Sequence, residues 1–323
     1  MKKWLVSFMV SIVLLHGCAD KSLTLPTNDG PYLVISHLKE PSLSFMNVED
    51  YTIEHTEPLP SSWETQVSIS DKRVAALTNN ANEIVLFHLS DGAVESFVEL
   101  DDQVSTMVYD ANEGLLIVAS EQSRTVSFIA IETGEIEQTI SLDVAPAELH
   151  LDQAGNLFVL STDAGQVDYI EVQSKRKQSF SVIDRPAGMF YDGHLLWVGG
   201  HGPSGELNDQ LHGYDVSNGE LVQSVDVGLM PIAITGSKDQ SQIFVLCHGN
   251  DHLYQIDLES KEIVASIEVG HNPNFMYEYK EQLIVSNFDS DSLSIIMKEP
   301  FALMAEVEVE PGPYAISSGE IMQ

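Results

Sequence analysis

The chain has 323 residues, of which 43% are hydrophobic, and it carries 15 Lys and Arg against 49 Asp and Glu. The formal charge of −34 excludes the basic surface on which nucleic-acid binding depends, so we expect no nucleic-acid partner. Disorder is also excluded, because the apolar residues are frequent and regularly patterned.

The N-terminal residues 1–17, MKKWLVSFMVSIVLLHG, have the pattern of a secretory signal. Two lysines precede an apolar run that is too short for an ordinary membrane span. The segment ends in Leu-His-Gly-Cys, which resembles the bacterial lipobox, although His16 stands where that motif prefers a small or β-branched residue. We therefore predict lipidation of Cys18. An ordinary cleaved signal followed by a chance cysteine is the alternative.

Lipidation at Cys18 would determine where the mature chain resides. We expect an exported protein, anchored by its acyl chains to the extracytoplasmic side of a bacterial membrane, with residues 18–30 as a lipidated linker. Loss of the signal removes Lys2 and Lys3 and no acid, which leaves 13 basic and 49 acidic residues and a formal charge of −36. The other cysteine, Cys247, then has no intramolecular partner, so the domain depends on its core without a disulfide.

From about residue 62 onward the sequence repeats with a period near 41 residues. The units share a short strand pattern, a turn with Gly, Asp or Lys, and an apolar strand pattern. The clearest stretches are VAPAELHLDQAGNLFVLS (144–161), DRPAGMFYDGHLLWVGG (184–200), LMPIAITGSKDQSQIFVLC (229–247) and HNPNFMYEYKEQLIVSN (271–287). Their prolines, and that of the last unit, stand 40, 45, 42 and 40 residues apart, at Pro146, Pro186, Pro231, Pro273 and Pro313.

Each unit continues with two more alternating strand patterns, such as HLYQIDLES (252–260) and EIVASIEVG (262–270), bounded by turn residues. Four antiparallel strands in about 41 residues make one propeller blade. Six complete units run from about residue 62 to 310. We predict an all-β fold, a seven-bladed β-propeller with four antiparallel strands per blade, which forms a single domain over residues 31–323.

The seventh blade is expected to combine both ends of the chain. The stretch GPYAISSG (312–319) matches only the first strand of a unit, and the three missing strands are YLVISHL (32–38), SLSFMNVED (42–50) and YTIEHTEP (51–58). Such a blade closes the ring and removes free sheet edges. The alternative is an unstructured C-terminal tail.

The repeat units resemble those of the YVTN-type β-propellers, also called YncE-like. The stretches LIVSNFDSDSLSII (283–296) and LYQIDLESKEIVASIEVG (253–270) match that repeat best, ALTN (76–79) and IVAS (117–120) match it in part, and WVGG (197–200) and FVLC (244–247) depart from it. The resemblance covers essentially the whole mature chain. It implies the propeller fold and leaves the function open, because propellers host many activities.

One connection is much longer than its equivalents. In a propeller, the loops between the second and third strands of each blade share a face with the connections between blades. Most of these loops are short, whereas GGHGPSGELNDQ (199–210) is Gly-rich and lengthens its unit to 45 residues. This favours a binding site at the channel mouth, and a tolerated surface insertion is the alternative. We expect ligand-binding residues around this mouth at Glu148, Arg185, Trp197, His201, His248 and His271.

Three of these residues form a candidate metal-binding set. His201, His248 and His271 belong to loops of one face on three consecutive blades, and three imidazoles suit zinc or another divalent transition metal. Histidines are also common in turns, so a chance placement is the alternative. We expect no resident cofactor unless these three side chains converge.

The common catalytic motifs are missing from the sequence, which has no G-x-S-x-G, G-x-x-x-x-G-K-[ST], H-E-x-x-H or C-x-x-C pattern. We therefore expect a monomeric, cell-surface or periplasm-facing lipoprotein whose propeller binds a protein, glycan or small ligand at the channel mouth without chemistry. The alternative is a cofactor- or metal-dependent propeller enzyme, of the lactone-hydrolysing or redox type, with its site on the histidine-bearing face. A mainly structural surface protein is the third hypothesis.

Overall fold

The computed structural model describes residues 21–78, 82–172, 174, 176–237 and 241–322. The signal segment 1–17 and the predicted lipidation site Cys18 lie outside these residues. The described part of the chain consists of strands and the turns that connect them, and none of it forms a helix long and apolar enough to cross a membrane.

The strands follow one another at short intervals. The first four are β1 (Lys21–Ser22), β2 (Gly30–His37), β3 (Ser42–Asn47) and β4 (Ile53–Pro58). Next come β5 (Trp63–Ser70), β6 (Arg73–Thr78), β7 (Glu83–His88), β8 (Ala93–Glu99), β9 (Thr106–Asp110), β10 (Leu115–Ser120), β11 (Thr125–Ala130) and β12 (Ile136–Ser141). The middle of the chain forms β13 (Glu148–Leu151), β14 (Leu157–Ser161), β15 (Gln166–Glu171), β16 (Arg176–Ser181), β17 (Pro186–Tyr191), β18 (Leu195–Gly200), β19 (Gln210–Asp215) and β20 (Leu221–Asp226). The last strands are β21 (Pro231–Gly236), β22 (Gln242–Cys247), β23 (His252–Asp257), β24 (Glu262–Glu268), β25 (Pro273–Tyr279), β26 (Gln282–Asn287), β27 (Ser292–Met297), β28 (Ala302–Glu308) and β29 (Pro313–Ile321).

These strands form seven antiparallel sheets, which are the blades of a propeller. Blades 1 to 6 are β5–β8, β9–β12, β13–β16, β17–β20, β21–β24 and β25–β28, and blade 7 is β29 followed by β2, β3 and β4. The first strand of each blade contacts the first strand of the next, from β5 through β25 to β29, and β29 contacts β5 again. The ring is therefore closed around an axial channel, and the predicted seven-bladed architecture is confirmed.

Blade 7 joins the two ends of the chain, as the sequence predicted. Strand β29 pairs with β2 from Gly30 opposite Ile321 to His37 opposite Pro313. Ala315 and Ile316 are each only 1% exposed. The C-terminal stretch is thus the innermost strand of a blade and not a tail.

Seven hydrophobic clusters of described residues hold the blades together, one between each pair of neighbouring blades. Alternate side chains of a strand point to opposite faces of its sheet, so each blade contributes one face to each of two clusters. Between blades 3 and 4, for example, Phe158 and Leu160 pack against Met189 and Leu196. Cys247 is fully buried in the cluster between blades 4 and 5, and burial raises the pKa of its thiol to about 12. Stability therefore comes from seven layers of apolar contact around the ring.

The segment before β2 is partly built into the propeller, which the sequence did not predict. Within the expected linker 18–30, strand β1 pairs with the outer edge of β8, Ser22 opposite Ala93. The amide N–H of Leu23 donates to the carbonyl oxygen of Gly92 at 2.8 Å. The side chains of Leu23 and Leu25 then pack against the cluster between blades 7 and 1. This segment makes blade 1 five-stranded and covers an edge that would otherwise be free.

The two faces of the ring differ in their connections. We call the face that carries the loops between second and third strands and the connections between blades the upper face, and the opposite one the lower face. Four connections between blades end in a residue with φ between 51° and 71° directly before the proline that begins the inner strand, namely Arg185, Met230, Asn272 and Gly312. A proline disfavours the right-handed helical region for the residue before it, which is consistent with the same turn recurring in four units. This turn directs the chain from the outer edge of one blade to the channel wall of the next.

Candidate functional site: the axial channel

The channel holds a cavity of about 720 Å³, and the inner strands of all seven blades line it. One lining residue per blade, from blade 1 to blade 7, is Glu64, Thr106, Glu148, Met189, Ile232, Asn274 and Tyr314. Ligand pockets in proteins commonly have volumes of about 300–1,000 Å³. The channel is therefore large enough for a small organic molecule.

Charged residues of one sign line this cavity. Glu64, Glu148 and Glu278 are among its lining residues, whereas the lining drawn from the described chain includes no Lys or Arg. Glu278 lies at the lower end, where its Oε1 accepts a hydrogen bond from Lys298 Nζ at 2.6 Å and its Oε2 accepts one from Thr235 Oγ1 at 3.0 Å. Its charge is thus neutralised locally. The upper half of the channel contains the other two carboxylates.

Glu148 is the most perturbed of these carboxyls. It is the first residue of β13, near the upper face, and its Oε2 accepts a hydrogen bond from the amide N–H of Gly188 at 2.9 Å. The side chain is partly exposed to the channel, yet protein atoms surround its carboxyl group closely. This burial raises the pKa of Glu148 to about 7, and the amides of Gly188 and Met189 offset it only in part. Near neutral pH the group is therefore divided between its charged and neutral forms.

His150 follows on the same strand and lines the lower half of the channel. Its ring meets that of Phe190 edge-on, with centroids 5.8 Å apart. Burial lowers the pKa of His150 to about 4, so the imidazole is neutral at pH 7. The histidine adds no positive charge to balance the carboxylates.

Two buried amide oxygens also lie at the channel wall without a partner. Gln66 is 5% exposed, and its Nε2 donates to the carbonyl oxygens of Val34 at 2.6 Å and Ala315 at 2.9 Å. Neither its Oε1 nor the Oδ1 of Asn274 accepts a hydrogen bond from any described residue. Both residues are among those that line the cavity. An unpaired buried acceptor is costly, so each amide would gain a hydrogen bond if its side chain turned the oxygen toward a donor in the cavity.

The wall beside Glu148 depends on a glycine. Gly188 has φ of 68°, and a Cβ at this position would lie 2.5 Å from the carbonyl oxygen of Ile232 in the next blade. We expect Gly188→Ala to lower the free energy of unfolding by more than about 2 kcal/mol, since backbone strain and collision add. Gly205→Ala is the matched control, because Gly205 has φ of 96° but open space around its Cα. Urea unfolding that gave equal losses for the two variants would contradict the close contact.

Of the six residues expected to bind ligand, only Glu148 lines the cavity. The expectation that Trp197 lies at the channel mouth is wrong. It is 1% exposed and packs between blades 4 and 5, and its Nε1–H donates to Asp192 Oδ2 at 2.7 Å towards the lower face. A large aromatic in the middle of an apolar strand is a core residue, which its neighbours Leu196 and Val198 already indicated.

The remaining four residues lie on the upper face, outside the cavity lining. Arg185 and His271 are exposed, and the ring centroids of His201 and His248 are 6.2 Å apart. The amide N–H of His201 donates to the carbonyl oxygen of Arg185 at 3.0 Å. Burial, followed by the charge of Arg185, lowers the pKa of His201. The structure thus brings Arg185, His201 and His248 together as a surface cluster.

The third histidine of the proposed metal set points to a different partner. Nδ1 of His271 lies 2.8 Å from Asp251 Oδ2, and this hydrogen bond raises the pKa of His271. Across the described residues, no group of three or more His, Cys, Asp or Glu side chains could hold a metal ion. His201, His248 and His271 therefore do not form the three-ligand site that their positions in the loops allowed.

Hydrogen bonds close the long loop at its base, and the loop lies outside the lining of the channel cavity. It spans residues 201–209, between β18 and β19, and Asn208 joins its two ends by donating to the carbonyl oxygens of Gly200 at 3.1 Å and Gln210 at 2.7 Å. Leu207, next to this base, is 56% exposed. None of its residues is among those that line the channel cavity. The loop belongs to the surface cluster and does not cover the cavity.

Sequence reasoning missed Gln66, Asn274 and His150 as channel residues. Each lies on an inner strand, and only the strand assignment could have identified them. Asn274 follows Pro273 directly, and Gln66 lies between Thr65 and Val67 in the middle of β5, so a search for polar residues on first strands would have included both.

No family model matches the chain, and no curated protein matches it in sequence. Solved structures do share its fold. A functionally unknown protein from Desulfotomaculum acetoxidans DSM 771 aligns with 89% of this chain and 98% of its own, at a TM-score of 0.71 and 13% identity. AztD from Citrobacter koseri aligns with 91% of this chain and 98% of its own, at a TM-score of 0.61 and 11% identity.

A third similar structure is that of the dihydro-heme d1 dehydrogenase NirN in complex with DHE. It aligns with 91% of this chain and 76% of its own, at a TM-score of 0.60 and 10% identity. Identities this low show a shared fold and nothing more. The likeness to YVTN-type propellers in particular stays a resemblance.

Proposed function

We propose that the mature chain is an exported, lipid-anchored propeller that binds a small ligand in its axial channel without chemical change. The observation that supports binding is the channel itself, a cavity of about 720 Å³ with the Glu148 carboxyl in its wall. A concave cavity that combines aromatic and apolar side chains with placed polar groups is a usual form of ligand site. A protein or glycan partner is less well supported, because the long loop does not combine with the channel into one surface.

The anchor proposal rests on residues 1–18 of the sequence. Only two residues separate Cys18 from β1, which pairs with β8 beside the turn 89–92 on the lower face. A chain this short spans about 10 Å at most. A lipid on Cys18 would therefore hold the outer edge of blade 1, along β8, close to the membrane.

Labelling tests the anchor directly. Cells grown with a fatty-acid analogue should incorporate label into the wild-type protein and not into Cys18→Ser. The matched control is Cys247→Ser, which should be labelled like wild type because its thiol is buried. Equal labelling of Cys18→Ser and wild type would overturn the anchor.

Native mass spectrometry of the protein purified from its membrane tests the binding proposal. We expect a co-purified molecule of small mass on the wild type. Thr65→Trp and Thr106→Trp each place a large ring at the cavity wall, on blades 1 and 2, and both should lose this mass while their circular dichroism is retained. A wild type without bound mass, or bound mass that persists in both variants, would overturn a ligand site in the channel.

A propeller enzyme is the second candidate, and one observation favours it. A carboxyl with a pKa of about 7 is poised to donate and accept protons at neutral pH, as general acid–base catalysis requires. NirN, similar in fold, is named a dehydrogenase. Conversion of the co-purified molecule by wild type, with no conversion by Glu148→Gln, would favour this reading over simple binding.

A further inference from the structure

We propose that the channel ligand is an organic amine that carries a primary ammonium group, and that Glu148 is its counter-ion. The proposal rests on the proposed function above, because it names the ligand class of the same cavity. It follows from three properties of the wall, which are its charge, its unpaired acceptors and its apolar surface.

The charge of the wall favours a cation. Glu64 and Glu148 lie in the upper half and form no ion pair with another described residue, and the third carboxylate, Glu278, is already paired with Lys298. The imidazole of His150 is neutral at pH 7. An anionic ligand would meet two carboxylates with no compensating charge, whereas a cation neutralises the buried Glu148.

The unpaired acceptors favour a ligand with several N–H donors. Gln66 Oε1 on blade 1 and Asn274 Oδ1 on blade 6 are buried oxygens without a donor among the described residues. Both belong to the channel wall, as Glu148 does on blade 3. A primary ammonium group has three N–H donors, and a quaternary ammonium group has none. A primary amine can therefore donate to the Glu148 carboxylate and to an amide oxygen that turns toward the cavity, whereas a quaternary amine can donate to neither.

The rest of the wall favours a ligand with a hydrocarbon part. Aromatic side chains from several blades line the cavity, at Tyr109, Phe190, Phe275, Tyr277 and Tyr314, together with three methionines. Aromatic faces attract cations and provide apolar contact at the same time. An inorganic cation would use the carboxylate and leave this surface uncovered, so an organic ammonium ion fits the wall as a whole.

Four probes, each built on an unbranched six-carbon chain, separate these properties. They are hexylammonium, hexanol, hexanoate and hexyltrimethylammonium, which differ in charge and in hydrogen-bond donors. Isothermal titration of each into the full-length protein in detergent at pH 8 should show binding of hexylammonium. The other three should bind at least tenfold more weakly.

Two matched substitutions locate the counter-ion. Glu148→Gln should weaken hexylammonium binding at least tenfold at pH 8, and Glu206→Gln, the same change in the exposed loop 201–209 outside the cavity lining, should alter it less than twofold. In the wild type the affinity should rise about tenfold from pH 6 to pH 8, because the pKa of Glu148 is about 7 and the amine stays protonated. The other titratable groups in the cavity wall are Glu64, Glu278 and His150, with Tyr109, Tyr277 and Tyr314, and the Glu148→Gln variant should lose the pH dependence although it retains all of them.

The outcomes distinguish this inference from the proposed function. Binding of hexanoate or hexanol as tight as that of hexylammonium would overturn the ammonium ligand, and equal binding of hexyltrimethylammonium would overturn the role of the N–H donors. If no probe binds but both tryptophan variants lose a co-purified molecule, the ligand class is wrong and the channel site stands. If the tryptophan variants retain the co-purified molecule, both the ligand class and the channel site are wrong. A Glu148→Gln variant that binds hexylammonium like wild type at pH 8 would exclude Glu148 as the counter-ion.

Discussion

Deletion of residues 313–323 is expected to abolish cooperative unfolding and leave a protein without a stable propeller. The deletion removes β29, the innermost strand of blade 7, together with its ladder to β2 and its contacts with β5 and β25. Ile316 is 1% exposed and Ile321 is fully buried, and aliphatic core residues of this kind each contribute about 2–5 kcal/mol. The total loss equals or exceeds the stability of a typical domain, about 5–15 kcal/mol.

Thermal unfolding followed by circular dichroism, with gel filtration, checks this expectation. A shorter deletion, of residues 322 and 323 only, is the control, because Met322 is 48% exposed and lies beyond β29. This control should melt like the wild type. An 11-residue deletion with an unchanged melting temperature would mean that blade 7 does not need its inner strand.

Glu148→Gln is expected to stabilise the protein at pH 8 in the absence of ligand, by up to about 3 kcal/mol, and to have a much smaller effect at pH 4.5. Burial raises the pKa of Glu148 from 4.5 to about 7 in the folded protein, and each unit corresponds to about 1.4 kcal/mol. Glutamine keeps the shape and can still accept from the amide N–H of Gly188, but it carries no charge to bury.

The direction of this stability change follows from the protons that the folded and unfolded states bind. Between pH 4.5 and about 7 the folded state holds the Glu148 proton more tightly than the unfolded state, so wild-type stability falls as the pH rises through this range. Two buried histidines act in the opposite direction. Burial lowers the pKa of His37 and of His150 to about 4, so their contribution is complete above pH 6.5 and is lost as the pH falls to 4. Both histidines are present in wild type and variant, so the difference between the two isolates Glu148.

Urea unfolding of both proteins at several values between pH 4.5 and 8 measures this difference. Glu278→Gln provides a control of opposite sign, since it leaves Lys298, whose side chain is 5% exposed, without its carboxylate and should destabilise the protein at pH 8. A stability difference between wild type and Glu148→Gln that did not change with pH would show that the folded-state pKa is not raised.

The sequence predicted the ring well because a propeller is made of local units. Each blade is a meander of neighbouring strands, so a repeat of about 41 residues contains nearly all of its own pairing. Closure through Pro313 and the strand after it also followed, because an incomplete unit at one end matched three strands at the other. The short strand β1 carried no such signal, since two residues show no alternation and their partner, β8, is more than 70 residues away.

The residues of the site were harder to predict. His201, His248 and His271 were grouped because their loops share a face, and that much is correct. Whether side chains converge depends on the direction of each Cα–Cβ bond and on partners such as Asp251, which the repeat does not specify. Trp197 was assigned to the mouth by its position in the chain, although its apolar strand placed it in the core.

By itself the sequence determined the fold class, the number of blades and the way the ring closes, because periodic patterning and hairpin pairing act between neighbours in the chain. Only the tertiary structure decided which polar residues line one cavity and what their charge states are. Glu148, Gln66 and Asn274 come from blades 3, 1 and 6, and their common environment exists only when the ring is closed. The raised pKa of Glu148 has the same origin, since desolvation depends on atoms that the neighbouring blades bring around the carboxyl.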